Sequence, residues 1–448
     1  MSTYYVDTGG AATNSGSTDQ NTANLSGTGD ATVAGSVVTL TAGTDLSGVV
    51  TTAGPTQSTI YLAQATNANQ KIFKISAVAG SGGATPTVTV TVAPTGVTGS
   101  NWAIGGRFVW TNASLVGGLV AGDIVQFNNS PASASADLIT GSAGGDGTSG
   151  PIKFIGKTGT RPVLTVSNTN QVFESTNQFN WLENVEAVQQ GASGTVLASS
   201  GADDMYYNVK ISDGGGNGIG GSGSGCRVMA CEITGVGGDG IATSNGLYIC
   251  GNNIHDNTGN GITFSGTTTI IIDGNVIDSN GGRGIVHSGA TGSVSISQMA
   301  FLNGNTVYGN GNSGLEVTDK DIAFTLLNNI FAENGNAAGE YNLEWLESTA
   351  EATGIHKNNV FFHSGGGGGA NLSLVTADST DITTDPLFTN AAGADFSLGS
   401  TSPAKAAGFP ASFLGGNTNY RDIGAVQRQE PSSSTSTGTH LGGARLSP

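Results

Sequence analysis

Three side chains capable of acid–base chemistry fall within ten residues of one another, Asp278, Arg283 and His287, in "IIDGNVIDSNGGRGIVHSG" (271–289). A carboxylate, a guanidinium and an imidazole gathered at one place can move a proton and hold an anion. A second concentration is acidic and aromatic. "ENGNAAGEYNLEWLESTAE" (333–351) carries Glu333, Glu340, Glu344, Glu347 and Glu351 around Tyr341 and Trp345. Aromatic faces stack on sugar rings, and carboxylates accept sugar hydroxyls or act as an acid and base pair. The catalytic candidates are therefore Asp278, Glu340 and Glu344; the candidate glycan contacts are Tyr341, Trp345, Arg283 and His287. Each set also has an ordinary reading. The first is a solvated face with incidental ion pairs. The second is an inserted loop that packs Leu343, Trp345 and Leu346. Asp203 and Asp204 in "ADDMYY" read as a corner turn.

The elements that must position these residues repeat. "NNIHDNTGNGITFSG" (252–266) aligns with "NVIDSNGGRGIVHSG" (275–289), and "NTVYGNGNSGLEV" (305–317) and "NIFAENGNAAGEYNL" (329–343) fit the same pattern. One apolar column is Ile211, Ile233, Ile254, Ile277, Val307, Phe331 and Phe361, in steps of 22, 21, 23, 30, 24 and 30 residues. A second is Ile219, Ile241, Ile262, Ile285 and Leu315. Two asparagine columns accompany them, Asn252, Asn275, Asn305, Asn329 and Asn359, then Asn257, Asn280, Asn310 and Asn334. Short β-segments at this period, with no helical register, predict a β-solenoid in which like stacks on like. Stacked amides should form ladders. In register, His255 and Asp278 lie one rung apart, and Arg283 falls level with Asn260 and Asp239. A cluster of Asp278, Arg283 and His287 on one face is the expectation to be tested.

The organisation expected along the chain is a first strand and turns (1–24), a small β module (25–105), the coil (106–384), a C-terminal cap (385–428) and a Ser/Thr-rich tail (429–448). In the module, "SVVTLTAG", "STIYLAQ", "KIFKISAV" and "TVTVTVAP" read as strands of a small antiparallel sandwich or barrel. The coil should hold about a dozen rungs, a rod of about 55–60 Å.

Charged residues make up only 10% of the chain, too few for long exposed helices, and the formal charge of −17 opposes nucleic acid or anionic lipid as the main ligand. Cys226, Cys231 and Cys250 lack metal-site spacing and read as small apolar residues; no metal and no cofactor is expected. "MSTYYVDTGG" has neither a basic nor an apolar leader region, so no Sec signal is expected, and no apolar run suggests a membrane span.

The Asn- and Gly-punctuated rungs resemble the right-handed parallel β-helix of the pectin-lyase-like superfamily. The ends agree: "YYVDTGGAATNSGST" is similar to the first strand of such proteins, and "DPLFTNAAGADFSLGSTSPAKAAG…RDIGAV" (385–426) to their closing segment. The resemblance covers 1–24 and 106–428, and leaves 25–105 as an insertion. It implies an all-β right-handed parallel β-helix, on a fold that serves lyases, hydrolases, epimerases, adhesins and phage spikes. The expectation is a structural phage virion protein (tailspike, fibre or capsid-surface component) that contacts a host polysaccharide. It would assemble in the host cytoplasm and stand on the virion exterior. A homotrimer is implied, joined to other virion proteins through 25–105 or 429–448. The alternative is a polysaccharide lyase or glycoside hydrolase on the same scaffold.

Overall fold

Alternation with period two puts one side chain in and the next out, and a strand of three or four residues suffices when each pairs with its own copy one rung on. A computed structural model shows this arrangement. It describes residues 3–6, 25–52, 57–62, 65, 72–104, 119–128, 130, 132–133, 137–141, 144–265, 269–288, 298–318, 322–335, 340–345, 354–365, 372–409 and 421–427. Glu347, Glu351 and the tail 429–448 lie outside the described residues. The strands form three long parallel sheets, visited in turn by each coil of a right-handed β-helix. Sheet I has eleven strands, from Thr3–Val6 to Gly354–Lys357; sheets II and III have ten each.

The inward columns are continuous. In sheet I, Val125, Phe154, Leu182, Tyr206, Val228, Ile249, Ile272, Leu302 and Leu326 are in register and at most 2% exposed. Sheet II carries the first column expected from the sequence, ending in Phe331 on Phe361 with parallel rings 5.6 Å apart. Sheet III carries the second. Each fully buried Ile, Leu or Phe contributes about 1.5–3 kcal/mol, which is why the columns can replace the helical crossovers of other parallel sheets.

The corner from sheet I to sheet II is a two-residue turn whose first residue has positive φ. Gly274 and Gly304 supply it (66° and 65°), and Asn328 and Asn358 take the same left-handed conformation at 58° and 54°. Asn tolerates that region where a branched residue would not. The second residue begins a ladder. Asn252, Asn275, Asn305 and Asn329 each donate from Nδ2 to Oδ1 of the next rung at 2.8–3.1 Å. The same oxygens accept the backbone N–H of the rung before. A second ladder, Asn257, Asn280, Asn310 and Asn334, finishes on Asn342. All are buried, so these bonds satisfy groups that water cannot reach.

The first ladder ends on a charge. Asn359 donates its N–H (2.9 Å) and Nδ2 (3.2 Å) to Asp381 Oδ1, and His356 Nδ1 lies 2.7 Å from Asp381 Oδ2. The hydrogen bond to Asp381 raises the His356 pKa above its ordinary value, with burial opposing. A raised imidazole pKa stabilises the fold in full below the unfolded value, about 6.5, and the benefit is lost as pH rises through the folded value. Denaturation midpoints of the wild type should therefore fall as pH is raised from about 6 to about 9. His356→Gln should flatten that slope; an unchanged slope in the variant would remove His356 from the account.

Between Thr3–Val6 and its parallel partner Ile124–Phe127, the chain inserts a closed antiparallel barrel. Its six strands are Leu25–Ala34, Val37–Thr39, Thr87–Val90, Ile72–Ala79, Thr59–Leu62 and Thr98–Ile104, in that order around the barrel. Val38, Ile60, Phe73, Ile75, Val88 and Trp102 fill it. Ile72 instead joins the core of the β-helix, in one buried cluster with Leu119 and Val125. Lys74 pairs with the fully buried Asp123 of the helix, so the two bodies share both an apolar contact and an ion pair.

The closing segment does more than cover the last edge. Ile382 bridges to Val360, and the residues after it fold back over the outer face of sheet II. Tyr308 packs on Phe388 and Phe396 at 5.7 and 5.2 Å, Ala404 and Ile423 on Ile330 and Val360. Gly424 N–H reaches Asn328 O at 2.8 Å, and Ala425 N–H reaches Thr306 Oγ1 at 3.0 Å. Among the described residues, no helix is long and apolar enough to cross a membrane.

Candidate functional site

The corner from sheet II to sheet III is wider than the other and carries polar side chains that tie one rung to the next. Asp239 N–H donates to Asn217 Oδ1 (2.9 Å), Asn260 N–H to Asp239 Oδ1 (2.7 Å), and Arg283 N–H to Asn260 Oδ1 (2.8 Å). This fixes the backbone of Arg283 and leaves its side chain free to reach forward. It does so along the outer face of sheet III, where Thr263, Val286, Glu316 and Glu344 stand in register on successive rungs. Arg283 Nε donates to the Glu316 carboxylate. Glu316 is 4% exposed and Glu344 8%, although both point away from the apolar interior.

Ser313 joins the remaining acids. Its N–H and Oγ lie 3.0 and 2.8 Å from Glu340 Oε2, and Oγ also contacts Glu344 Oε2. Tyr341 N–H donates to the same hydroxyl at 3.1 Å. A serine has one hydroxyl proton, so it can donate to one of the two carboxylates at a time. The second contact is a hydrogen bond only when that carboxyl itself holds a proton. Burial raises the Glu316 pKa; Arg283 offsets part of this, and Glu344 and Glu340 add to it. Three carboxylates, one guanidinium and one hydroxyl thus meet on adjacent rungs.

The residues singled out in the sequence divide accordingly. Arg283, Glu340 and Glu344 come together, and half-buried Tyr341 helps hold Ser313. Asp278 does not join them. It lies on sheet II level with His255, as the register implied, with Ser279 Oγ donating to it at 3.1 Å. Burial raises its pKa. The next rung there is Tyr308, under the closing segment. His287 points inward at 1% exposure, between the rings of Phe264 (5.1 Å) and Phe324 (6.1 Å). The expected single face of Asp278, Arg283 and His287 is therefore split between sheet II, a corner and the interior. Trp345 also lies inside, against Phe324 at 5.7 Å, so its ring is core and is not offered to a sugar. Asp203 is a turn residue with φ 57°, whereas Asp204 is interior, accepting from Asn180 N–H (2.8 Å) and Ser199 Oγ (2.7 Å). Cys226 and Cys231 are buried, and burial pushes the Cys231 thiol up to about 12; Cys250 is half-buried. Among the described residues, no cluster of His, Cys, Asp and Glu could hold a metal ion.

Glu316 and Ser313 were missed in the sequence. The available signal was Glu316 standing one residue after Leu315, at the position where earlier rungs have Val286 and Thr263.

Comparison with known proteins agrees on the scaffold. The family described as right handed beta helix region matches residues 164–301 and 208–380. No curated protein matches the sequence. Solved structures with a similar course include pectate lyase Pel9A (13% identity, TM-score 0.49, 72% of this chain and 92% of that one). A rhamnogalacturonan lyase gives 13% and 0.48, over 63% and 86%. The tailspike protein gp49 from Pseudomonas phage LKA1 gives 12% and 0.31, over 83% and 69%. Likeness at this level carries no chemistry from one protein to another. From its strand register, its three parallel sheets and the family match, the chain is a right-handed parallel β-helix protein.

Proposed function

We propose that this chain is a spike- or fibre-like component of a phage particle exterior that holds a neutral host-surface glycan against the outer face of sheet III. The observation that supports this reading is the cluster of Arg283, Glu316, Glu340, Glu344 and Ser313 on adjacent rungs. At its accessible rim Glu340 accepts hydroxyl protons and Arg283 donates, while the buried Ser313, Glu316 and Glu344 hold the two in place, so the rim matches the donors and acceptors of a sugar. Acids exceed bases three to one, which disfavours a uronate-rich chain and favours a neutral or amino sugar. A low-charge rod with a barrel rooted at one end suits a body that is attached there and presents its flank. Residues 25–105 would then meet the neighbouring virion proteins.

Titration of the protein with neutral and with uronate-containing capsule or lipopolysaccharide fragments tests this. Neutral fragments should bind more tightly, and Glu344→Gln or Arg283→Ala should each weaken binding about 10–100-fold, the equivalent of one charge-assisted hydrogen bond. Equal binding by both variants and the wild type would remove the cluster from the reading.

One observation favours a second reading, glycoside hydrolysis: Glu340 and Glu344 both reach Ser313 Oγ, which sets the two carboxyls at most about 5 Å apart, the separation of a retaining pair. New reducing ends, absent with Glu344→Gln, would support it.

A further inference from the structure

Each coil presents three outer faces, and on two of them the later rungs are covered or filled. On sheet II the closing segment buries Thr306, Ile330 and Val360. On sheet III the acid cluster lies around Glu316. Sheet I is different: every residue of its two outward columns, from Ile124 and Gln126 to Ile355 and Lys357, is half-buried or exposed.

The composition of that face is unlike a solvated one. The chain has four methionines, and the three beyond Met1 all lie there: Met205, Met229 and Met299. Trp181, Tyr248 and Phe301 stand in one outward column with Met205. Tyr207, Met299 and Ile355 are 46%, 53% and 59% exposed. Aromatic residues and methionine mark the cores of protein interfaces. Nine strands, four on either side of the one that holds Tyr248, span eight intervals of about 4.8 Å, or about 38 Å, and a four-residue strand is about 13 Å wide. That is about 500 Å² per copy and about 1,000 Å² per pair, the least that a specific interface buries.

Charge indicates the occupant. The chain carries −17 overall, yet these two columns hold three bases, Lys153, Arg227 and Lys357, against two acids, Glu183 and Asp273. Two copies that repel elsewhere can approach here. The order of the charges is also self-complementary. Arg227 lies one rung before Tyr248 and Asp273 one rung after it.

We propose that two copies of this chain associate through the outer face of sheet I, antiparallel, about a two-fold axis at the rung of Tyr248 and Cys250. This sets Arg227 of each copy level with Asp273 of the other, and the two Cys250 side chains level with one another. The one like-charged meeting is Lys153 with Lys357, and Lys153 is already matched by Glu183 at 3.4 Å. The pairing replaces the three-fold assembly that the family resemblance implied.

Sedimentation of the full chain at tens of micromolar should give twice the 44.5 kDa chain mass. Phe301→Glu should weaken association about thirtyfold or more, as loss of an interface hot spot does, with an unchanged unfolding transition because the side chain points outward. Arg227→Asp should also separate the copies, and Arg227→Asp with Asp273→Arg should restore the pair. A thiol-reactive cross-linker about 8–10 Å long should link copies in the wild type but not in Cys250→Ser, since facing sheets lie about 10 Å apart, too far for a direct disulfide. A one-chain mass, a three-chain mass, failure of the charge swap to rescue, or a glycan bound to this face without self-association would each overturn the proposal. Arg283→Ala should leave the mass unchanged, so the pairing and the glycan reading can fail separately.

Discussion

Asn305→Ala is expected to destabilise the β-helix by roughly 3–5 kcal/mol, and to do so locally. Asn305 is fully buried at the centre of the first ladder. Its Nδ2 donates to Ile272 O (2.8 Å) and Asn329 Oδ1 (2.9 Å), and its Oδ1 accepts from Asn275 N–H and Nδ2, both at 2.9 Å. Truncation leaves a buried backbone donor and a buried carbonyl without these partners, each costing about 1–3 kcal/mol, together with a small cavity. Because each rung touches only its neighbours, amide exchange should accelerate first across residues 272–308 and little near 164–200. Asn253→Ala, at an exposed position two rungs earlier, should change stability by less than about 0.5 kcal/mol. Equal effects of the two substitutions would mean that the ladder is incidental to stability.

Lys74→Met should be of similar size, and for a different reason. Asp123 is fully buried and Lys74 is 8% exposed. The pair joins barrel to coil, and Asp123 also accepts Val120 N–H at 3.1 Å. Removing the lysine leaves a charge in a place that water cannot reach, which costs about 3–5 kcal/mol. Lys74→Met combined with Asp123→Leu should recover most of that loss, since an apolar pair of similar volume is often neutral. Differential scanning of the single and double variants would check this. A double variant as unstable as the sum of the singles would show that the site needs charge and not merely filled volume.

The columns could be read from the sequence because a solenoid repeats its environment. Ile211 through Phe361 are alike since each sits on the last, and the asparagines recur since each amide completes the one before. Residue type was a poorer guide to direction. His287 and Trp345 are polar or amphipathic in isolation, yet both continue the inward column that holds Phe264 and Val317. Arg283 and Glu316 are 33 residues apart, and Ser313 and Glu340 are 27 apart. Their meeting depends on how much chain is inserted between rungs, and spacing alone does not reveal where an insertion leaves the coil. The barrel was legible through its alternating strands, but Leu25–Ala34, "LSGTGDATVA", has no alternation to betray it. It becomes a strand by pairing with Thr98–Ile104 and Val37–Thr39.

The most direct test of the glycan reading is hydrogen–deuterium exchange with and without a saturating neutral oligosaccharide from a host surface. The account predicts new protection at residues 283–287, 313–317 and 340–345, absent in Arg283→Ala. Protection confined to the outer strands of sheet I or to the barrel, with none around Glu316, would contradict it.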